Sequence, residues 1–171
     1  MTNVLETARL ALRRLTVDDA ELILRLLNDP GFLRYIGDRG VRTLEDARSY
    51  VLNGPIASYE QFGFGLYLVQ LKQTGVPIGM CGLLKREVLQ HVDIGFAYLP
   101  EFRAQGYAFE AASAVMAYAG RVLGIDRLAG VTKPDNAGSI RVLEKLGMRC
   151  EGTARIAPDG PEDKLFVGPT R

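Results

Sequence analysis

Asp93-Ile94-Gly95-Phe96-Ala97-Tyr98-Leu99-Pro100-Glu101-Phe102-Arg103-Ala104-Gln105-Gly106-Tyr107-Ala108 is the stretch on which the fold turns. A short β-rich run ends near Leu99, a loop carries Arg103-x-x-Gly106-x-Ala108, and helical spacing begins. Glycine at 106 tolerates a positive φ and lets the backbone come close to a ligand. The first turn of a helix presents unpaired N–H groups at the positive end of its dipole, which together bind anions. Arg103 can add charge there, and a pyrophosphate is the natural occupant. The motif alone is weak, because many loops before helices contain glycine. It is not a P-loop, since no Gly-Lys-Ser/Thr follows. Nor is it a dinucleotide fingerprint, because the preceding strand sits among strands rather than in a βαβ unit.

Outward from this stretch the period of the apolar residues changes twice. Upstream, Phe64–Leu71, Ile78–Lys85 and Val92–Leu99 are β-rich runs. Gly75 with Val76-Pro77 separates the first two, and Glu87–Gln90 the next two, so an antiparallel meander is expected. Further upstream, Arg9–Leu15 alternates as a strand does. Thr16 then caps a helix carrying Ala20, Ile23, Leu24, Leu26 and Leu27, and Asn28-Asp29-Pro30-Gly31 stops it. A second helix is expected from Thr43 to Ser58. Downstream, Ala104–Leu123 is helical and ends at Gly124. Leu128–Thr132 is a short strand, Ser139–Leu146 a helix, and Met148–Ile156 and Leu165–Gly168 closing strands. The order β-αα-βββ-α-β-α-ββ describes an α/β (α+β) fold, a mixed sheet of about seven strands flanked by about four helices.

Composition narrows the function. The 171 residues suit one domain spanning 1–171, and 47% hydrophobic with 24% charged residues is ordinary for a globular protein. A net charge of +1 argues against nucleic-acid and membrane-surface binding. Cys81 and Cys150 fit neither a disulfide framework nor a zinc site, so no metal is expected and both read as buried free thiols. There is no apolar signal core and no run near the ~20 apolar residues of a membrane span, which makes the cytoplasm the default.

A second chemical element is Lys133-Pro134-Asp135-Asn136-Ala137-Gly138-Ser139, running into Ile140–Met148. Asn136 stands where a strand hands over to a helix. Its amide both donates and accepts, so it reads either as a simple N-cap or as a holder of an amide-bearing ligand arm. Arg141 and Lys145 read equally as ligand contacts or as solvated charges.

Arg103-x-x-Gly106-x-Ala108, Asn136-x-x-Ser139 and Glu144-Lys145-Leu146-Gly147-Met148-x-x-x-Gly152, in this order, resemble the GNAT (Gcn5-related N-acetyltransferase) superfamily over nearly the whole chain. The opening Leu5-Glu6-Thr7-Ala8-Arg9-Leu10-x-Leu12-Arg13 and Gly106-Tyr107-Ala108-x-Glu110-Ala111 are similar to its RimJ/RimL-type branch. The resemblance implies a GNAT fold with a mostly antiparallel sheet, and acetyl-CoA as co-substrate. The strand before the loop would splay from its neighbour and hold the pantetheine at Phe96, Ala97 and Tyr98. The loop residues Arg103, Ala104, Gln105, Gly106, Tyr107 and Ala108 would hold the pyrophosphate. Asn136 and Ser139 would contact the cofactor arm.

The implied reaction is direct transfer of an acetyl group to a primary amine, on a protein or peptide N-terminus or a small molecule, in a ternary complex. The amine must be neutral to attack, which is easier for an α-amino group (pKa ~8) than for a lysine (pKa ~10.4). Asp93 is the first choice of base, working through water because its side chain is short. His91 shares its parity on a strand, and Glu110 matches the family pattern near the helix start. Many relatives carry in the last helix a tyrosine that protonates the leaving thiolate; Leu143 stands there instead. Tyr98 and Tyr107 are the candidates to replace it. A non-catalytic acyl-CoA-binding module is the competing reading. Asp159-Gly160-Pro161-Glu162-Asp163 and Glu87 hint at local acid that would suit a cationic acceptor. The protein is expected to be a monomer or homodimer.

Overall fold

Polar caps set the helix boundaries. The Thr16 hydroxyl accepts from Asp18 N–H and the Thr43 hydroxyl from Asp46 N–H, while the carboxylates of Asp19 and Asp46 accept in turn from the backbone N–H of Thr16 and Thr43, closing a capping box at each threonine. Behind the first lies a 3-10 turn and then helix α1 (Ala20–Leu27). Asn28-Asp29-Pro30-Gly31 does end α1 but also starts α2 (Pro30–Tyr35), a helix absent from the sequence reading. Asp29 caps it and Pro30 occupies its first position, where a missing N–H costs nothing. The second cap opens α3 (Leu44–Val51), which passes through a π-helical segment at Leu52–Ile56 into α4 (Ala57–Phe62). Helical backbone therefore continues beyond the expected end at Ser58, until Gly63 turns it at φ 79°.

The computed structural model describes residues 2–171. Its strands are β1 (Asn3–Glu6), β2 (Leu10–Arg14), β3 (Leu66–Leu71), β4 (Pro77–Leu84), β5 (Asp93–Tyr98), β6 (Arg127–Thr132), β7 (Arg149–Ala154) and β8 (Asp163–Pro169). The remaining helices are α5 (Tyr107–Arg121) and α6 (Ala137–Lys145). One eight-stranded sheet runs β1-β2-β3-β4-β5-β6-β8-β7, antiparallel everywhere except β5 beside β6. The meander β3-β4-β5 is as expected. β1 is an added edge strand. Its four residues fall in a segment of mixed charge and leucine, where no alternation is long enough to read.

The sheet is buried on both faces, which is why β3 reads as a continuous apolar run rather than an alternating one. Tyr67 and Val69 point into one core with Leu10, Leu12 and the small residues Ala111, Ala112 and Ala119 of α5. Leu66 and Leu68 point into the other, with Ile23 and Leu26 of α1 and Ala47 and Val51 of α3. The alanine face of α5 lets that helix lie close over β4 and β5, so its N-terminus is carried to the end of β5. α6 ends in a Schellman motif, with Met148 N–H on the Leu143 carbonyl and Gly147 N–H on that of Glu144. Met148 is thereby buried, which accounts for the Gly147-Met148 signature.

Candidate active site

β5 pairs with β4 along its whole length, from Asp93 opposite Leu84 to Tyr98 opposite Gly79. With β6 it pairs only at Asp93 opposite Ala129. Past that point the two parallel strands part, and a cavity of about 840 Å³ opens between them. Gly95, Phe96, Ala97 and Tyr98 line one wall and Val131 and Thr132 the other. The open edge of β5 leaves backbone donors and acceptors that need partners. An extended ligand bearing amides can supply them as an added strand would.

α5 and α6 both begin at this cavity, and they begin differently. α6 is closed: the Asn136 side-chain oxygen accepts from Ser139 N–H at 3.3 Å. The N-cap reading of Asn136 is therefore the geometry found, while its amide nitrogen stays available and both residues line the cavity. α5 is open. Its first helical hydrogen bond runs from Glu110 N–H to the Gly106 carbonyl at 3.1 Å, and no side chain caps the N–H groups before it. Gly106 has φ 85°, and Ala104, two residues earlier, has φ 60°, a left-handed conformation that costs a non-glycine residue roughly 1–2 kcal/mol. Such a turn directs successive N–H groups into one concavity. Lys145 lies over the Phe109 ring at 4.5 Å, bringing a cation to the same end.

Asp93 lies at the point where β5 and β6 part. It is 1% exposed, and burial pushes its pKa up to about 6 against the opposing pull of Arg86. Arg86 Nε sits 3.3 Å from Oδ2, while Oδ1 has no hydrogen-bond partner. Around it the cavity wall is completed by residues the sequence reading did not single out, among them Tyr35, Arg39, Tyr50 and Arg86. Arg86 was within reach of inference: Leu84 opposite Asp93 in the meander returns residue 86 toward residue 93. Arg39 and Tyr50 arrive from the loop before α3 and from α3 itself, and no local signal marks them.

The other sequence candidates separate. Phe96, Ala97, Tyr98, Arg103, Ala104, Gly106, Tyr107, Ala108, Asn136 and Ser139 all line the cavity; Gln105 does not. Gln105 instead donates to the Glu101 carbonyl and accepts from Arg9 through its own carbonyl. Arg103 is tied to Asp29, the cap of α2, and its Nε donates to the Tyr98 carbonyl at 3.0 Å, so much of its charge is spent on the protein. Glu110 lies off the cavity wall. It accepts from Thr7 Oγ1 (2.6 Å), Arg9 N–H (2.9 Å) and Arg9 Nε (2.7 Å), clamping the β1–β2 turn to α5. Burial pushes its pKa up, but these bonds and the Arg9 charge outweigh that and hold it below the ordinary value. His91 is in the bend before β5, so strand parity does not apply to it, and it too is off the wall. The Tyr98 hydroxyl is buried without a hydrogen bond, its pKa far up through burial. Leu143 is 2% exposed and lines the cavity.

Two further expectations change. Cys150 is exposed on β7 rather than buried, because the outer edge strand has nothing over it; Cys81 is buried, and burial pushes its thiol up to about 12. Of the acids expected near an acceptor, Asp163 alone lines the cavity, and Lys133 approaches it at 3.5 Å. Among the described residues no group of three or more His, Cys, Asp or Glu is placed to hold a metal ion, and no helix is long and apolar enough to cross a membrane.

Residues 9–149 match the family model for the acetyltransferase (GNAT) domain. The chain is 32% identical over 157 residues to the uncharacterized N-acetyltransferase YoaA of Bacillus subtilis, covering 91% of this chain and 88% of that one. Its structure resembles that of a GNAT-family acetyltransferase from Bacillus anthracis, with TM-score 0.80 and 27% identity over 96% of this chain and 97% of the other. It also shares its fold with RimL, a ribosomal L7/L12 alpha-N-protein acetyltransferase solved in complex with coenzyme A, at TM-score 0.83 and 19% identity over 98% of each chain. The parted strands, the open start of the helix that follows them and the family match over most of the chain agree: this protein is an enzyme of the GNAT acetyltransferase family.

Proposed function

We propose that residues 1–171 form one catalytic unit that moves an acetyl group from acetyl-CoA to a primary amine. The observation that carries this reading is a single cavity with an uncapped helix start at one end and a buried carboxylate with a free oxygen at the other. The N–H groups of Tyr107, Ala108 and Phe109 suit a pyrophosphate. The open edge of β5 suits the two amides of a pantetheine arm. This directs the thioester toward the place where β5 and β6 meet, beside Asp93.

The amine nitrogen attacks the thioester carbonyl directly. A C–N bond forms, the C–S bond breaks, and the sulfur leaves as the coenzyme thiolate. A backbone N–H on the open edge of β5 is placed to polarise the carbonyl. The amine proton passes through water to Asp93, whose pKa of about 6 leaves it mostly ionised yet basic enough near neutrality. No covalent enzyme intermediate is needed, in keeping with a buried Cys81 whose thiol is held protonated. Leu143 offers no proton, so the thiolate takes up, through water, the proton that Asp93 accepted, which returns Asp93 to its carboxylate.

The motifs at Leu5–Arg13 and Gly106–Ala111 support the RimJ/RimL-type branch, and with it a peptide or protein N-terminus as the first acceptor to try, ahead of small amines. Release of free thiol from acetyl-CoA, measured against peptides of different first residue, polyamines and aminoglycosides, tests the reading. Amine-dependent release is expected with at least one class. Stoichiometric coenzyme binding without release across the panel would overturn it.

A further inference from the structure

We propose that the acetyl acceptor carries a carboxylate close to its amine and that Arg39 recognises it. This rests on the acetyl-transfer reading above and names the substrate class for the same cavity.

Positive charge outnumbers negative charge around the cavity wall. Its cations are Arg39, Arg86, Arg103, Arg141 and Lys145; its acids are Asp93 and Asp163. Arg103 is matched by Asp29 and Arg86 by Asp93, and Asp163 faces Lys133. Arg141 and Lys145 stand on α6, and Lys145 lies over Phe109 in the first turn of α5, the end read above as the pyrophosphate site. Arg39 remains. Its neighbour Asp38 is taken by Arg42 at 2.6 Å and by Gly40 N–H at 2.8 Å. Among the described residues Arg39 has no carboxylate partner. Beside it is Tyr50, half-buried and likewise without a hydrogen bond from its hydroxyl. Burial pushes that phenol up, and both Arg39 and Arg86 are near enough to pull against the rise.

The acceptor end therefore presents one uncommitted guanidinium and one uncommitted phenol next to the Asp93–Arg86 pair. An acceptor amine is neutral when it attacks and gives that guanidinium nothing to balance. A second ammonium, as on a polyamine, would be repelled. A carboxylate a few bonds from the amine meets the planar donor fork of Arg39 in the geometry that suits it best. Two sources share this chemistry: a free amino acid, through its own carboxylate, and a peptide whose first residue is acidic.

The test pairs each acceptor with its neutral partner in the thiol-release assay: amino acids against their amides, and peptides beginning with Asp against the same peptides beginning with Asn. Wild type should favour the carboxylate by about tenfold or more in kcat/KM, the worth of one charge-assisted hydrogen bond. Arg39→Gln should bring that ratio close to one while leaving the KM for acetyl-CoA unchanged, and Arg39→Glu should turn the preference toward cationic amines. The amino-acid and peptide arms report which source is used. Equal rates for carboxylate and amide, or a raised acetyl-CoA KM in Arg39→Gln, would overturn the proposal. Calorimetry of the coenzyme-saturated protein with the same pairs separates it from the reading it rests on. An Arg39-dependent preference in binding without thiol release sinks the transferase reading and keeps this one; thiol release with no preference does the reverse.

Discussion

The two ends of the cavity are made of different material. The end where α5 begins is built from backbone: an uncapped helix start, left-handed turns at Ala104 and Gly106, and the open edge of β5. The end around Asp93 is built from side chains brought in from four places: Arg39 before α3, Tyr50 on α3, Arg86 after β4 and Asp93 on β5. A backbone site depends on conformations that few residue types allow, so it leaves a compact trace such as Arg103-x-x-Gly106-x-Ala108. A side-chain site needs only reach, and its members leave no shared spacing. In the function proposed above, the first kind takes the coenzyme that the family shares, and the second is free to vary with the acceptor.

This contrast can be broken most directly at Gly106. Gly106→Glu adds a side chain where φ is 85° and where a Cβ would meet Arg9 Nη2 at 3.2 Å, and sets a negative charge beside the open helix start. Acetyl-CoA affinity by calorimetry should fall by 100-fold or more, by analogy with other preorganised anion sites that lose about 3 kcal/mol with one misplaced charge. At the other end, Asp93→Asn should lower turnover by roughly 100-fold, the usual worth of a general base, with acetyl-CoA affinity unchanged. The acidic limb of the wild-type rate, lost as pH falls through about 6, should disappear in the variant. The sign for stability is opposite to that of most acids. Because folding raises the pKa of Asp93, its carboxylate lowers stability as pH rises from the ordinary aspartate value through about 6. Asp93→Asn should thus keep or raise the melting temperature at pH 7 while it loses activity.

Smaller effects are expected where a charge is already engaged by the protein. Arg103 lines the cavity near the start of α5, but its charge is engaged by Asp29. Arg103→Ala should weaken acetyl-CoA binding by less than about tenfold, well short of Gly106→Glu. Glu110→Gln should leave the pH–rate profile in place and lower stability by about 1–2 kcal/mol, read by urea unfolding, because it cuts charge-assisted bonds to Thr7 and Arg9. Its folded pKa is lowered, so its stabilising contribution is present above the ordinary glutamate value and fades as pH falls through the folded one. The wild-type advantage over Glu110→Gln should therefore shrink in acid.

What was legible in the sequence follows the same division. The meander, α5 and the Arg103–Ala108 loop before it were readable because periodicity, turn residues and glycine placement are local. β1 was not, being four residues long, and α2 was hidden because Asp29-Pro30 serves both as the end of α1 and as the cap and first residue of α2. Asp93 begins β5, as its place in the β-rich run had implied, and lines the cavity. His91 was read from strand parity and Glu110 from the family pattern, and the strand start and the Thr7–Arg9 clamp draw them away from the cavity. Arg39 and Tyr50 needed the packing of α3 against the sheet, which no spacing expresses.

Backbone amide hydrogen exchange with and without coenzyme A reads the two ends of the cavity separately. If the coenzyme is held by backbone, protection should rise at Phe96–Tyr98 and at Gly106–Phe109, and stay level at Arg39 and Tyr50. Protection concentrated around Arg39 and Tyr50, with the start of α5 unchanged, would contradict it.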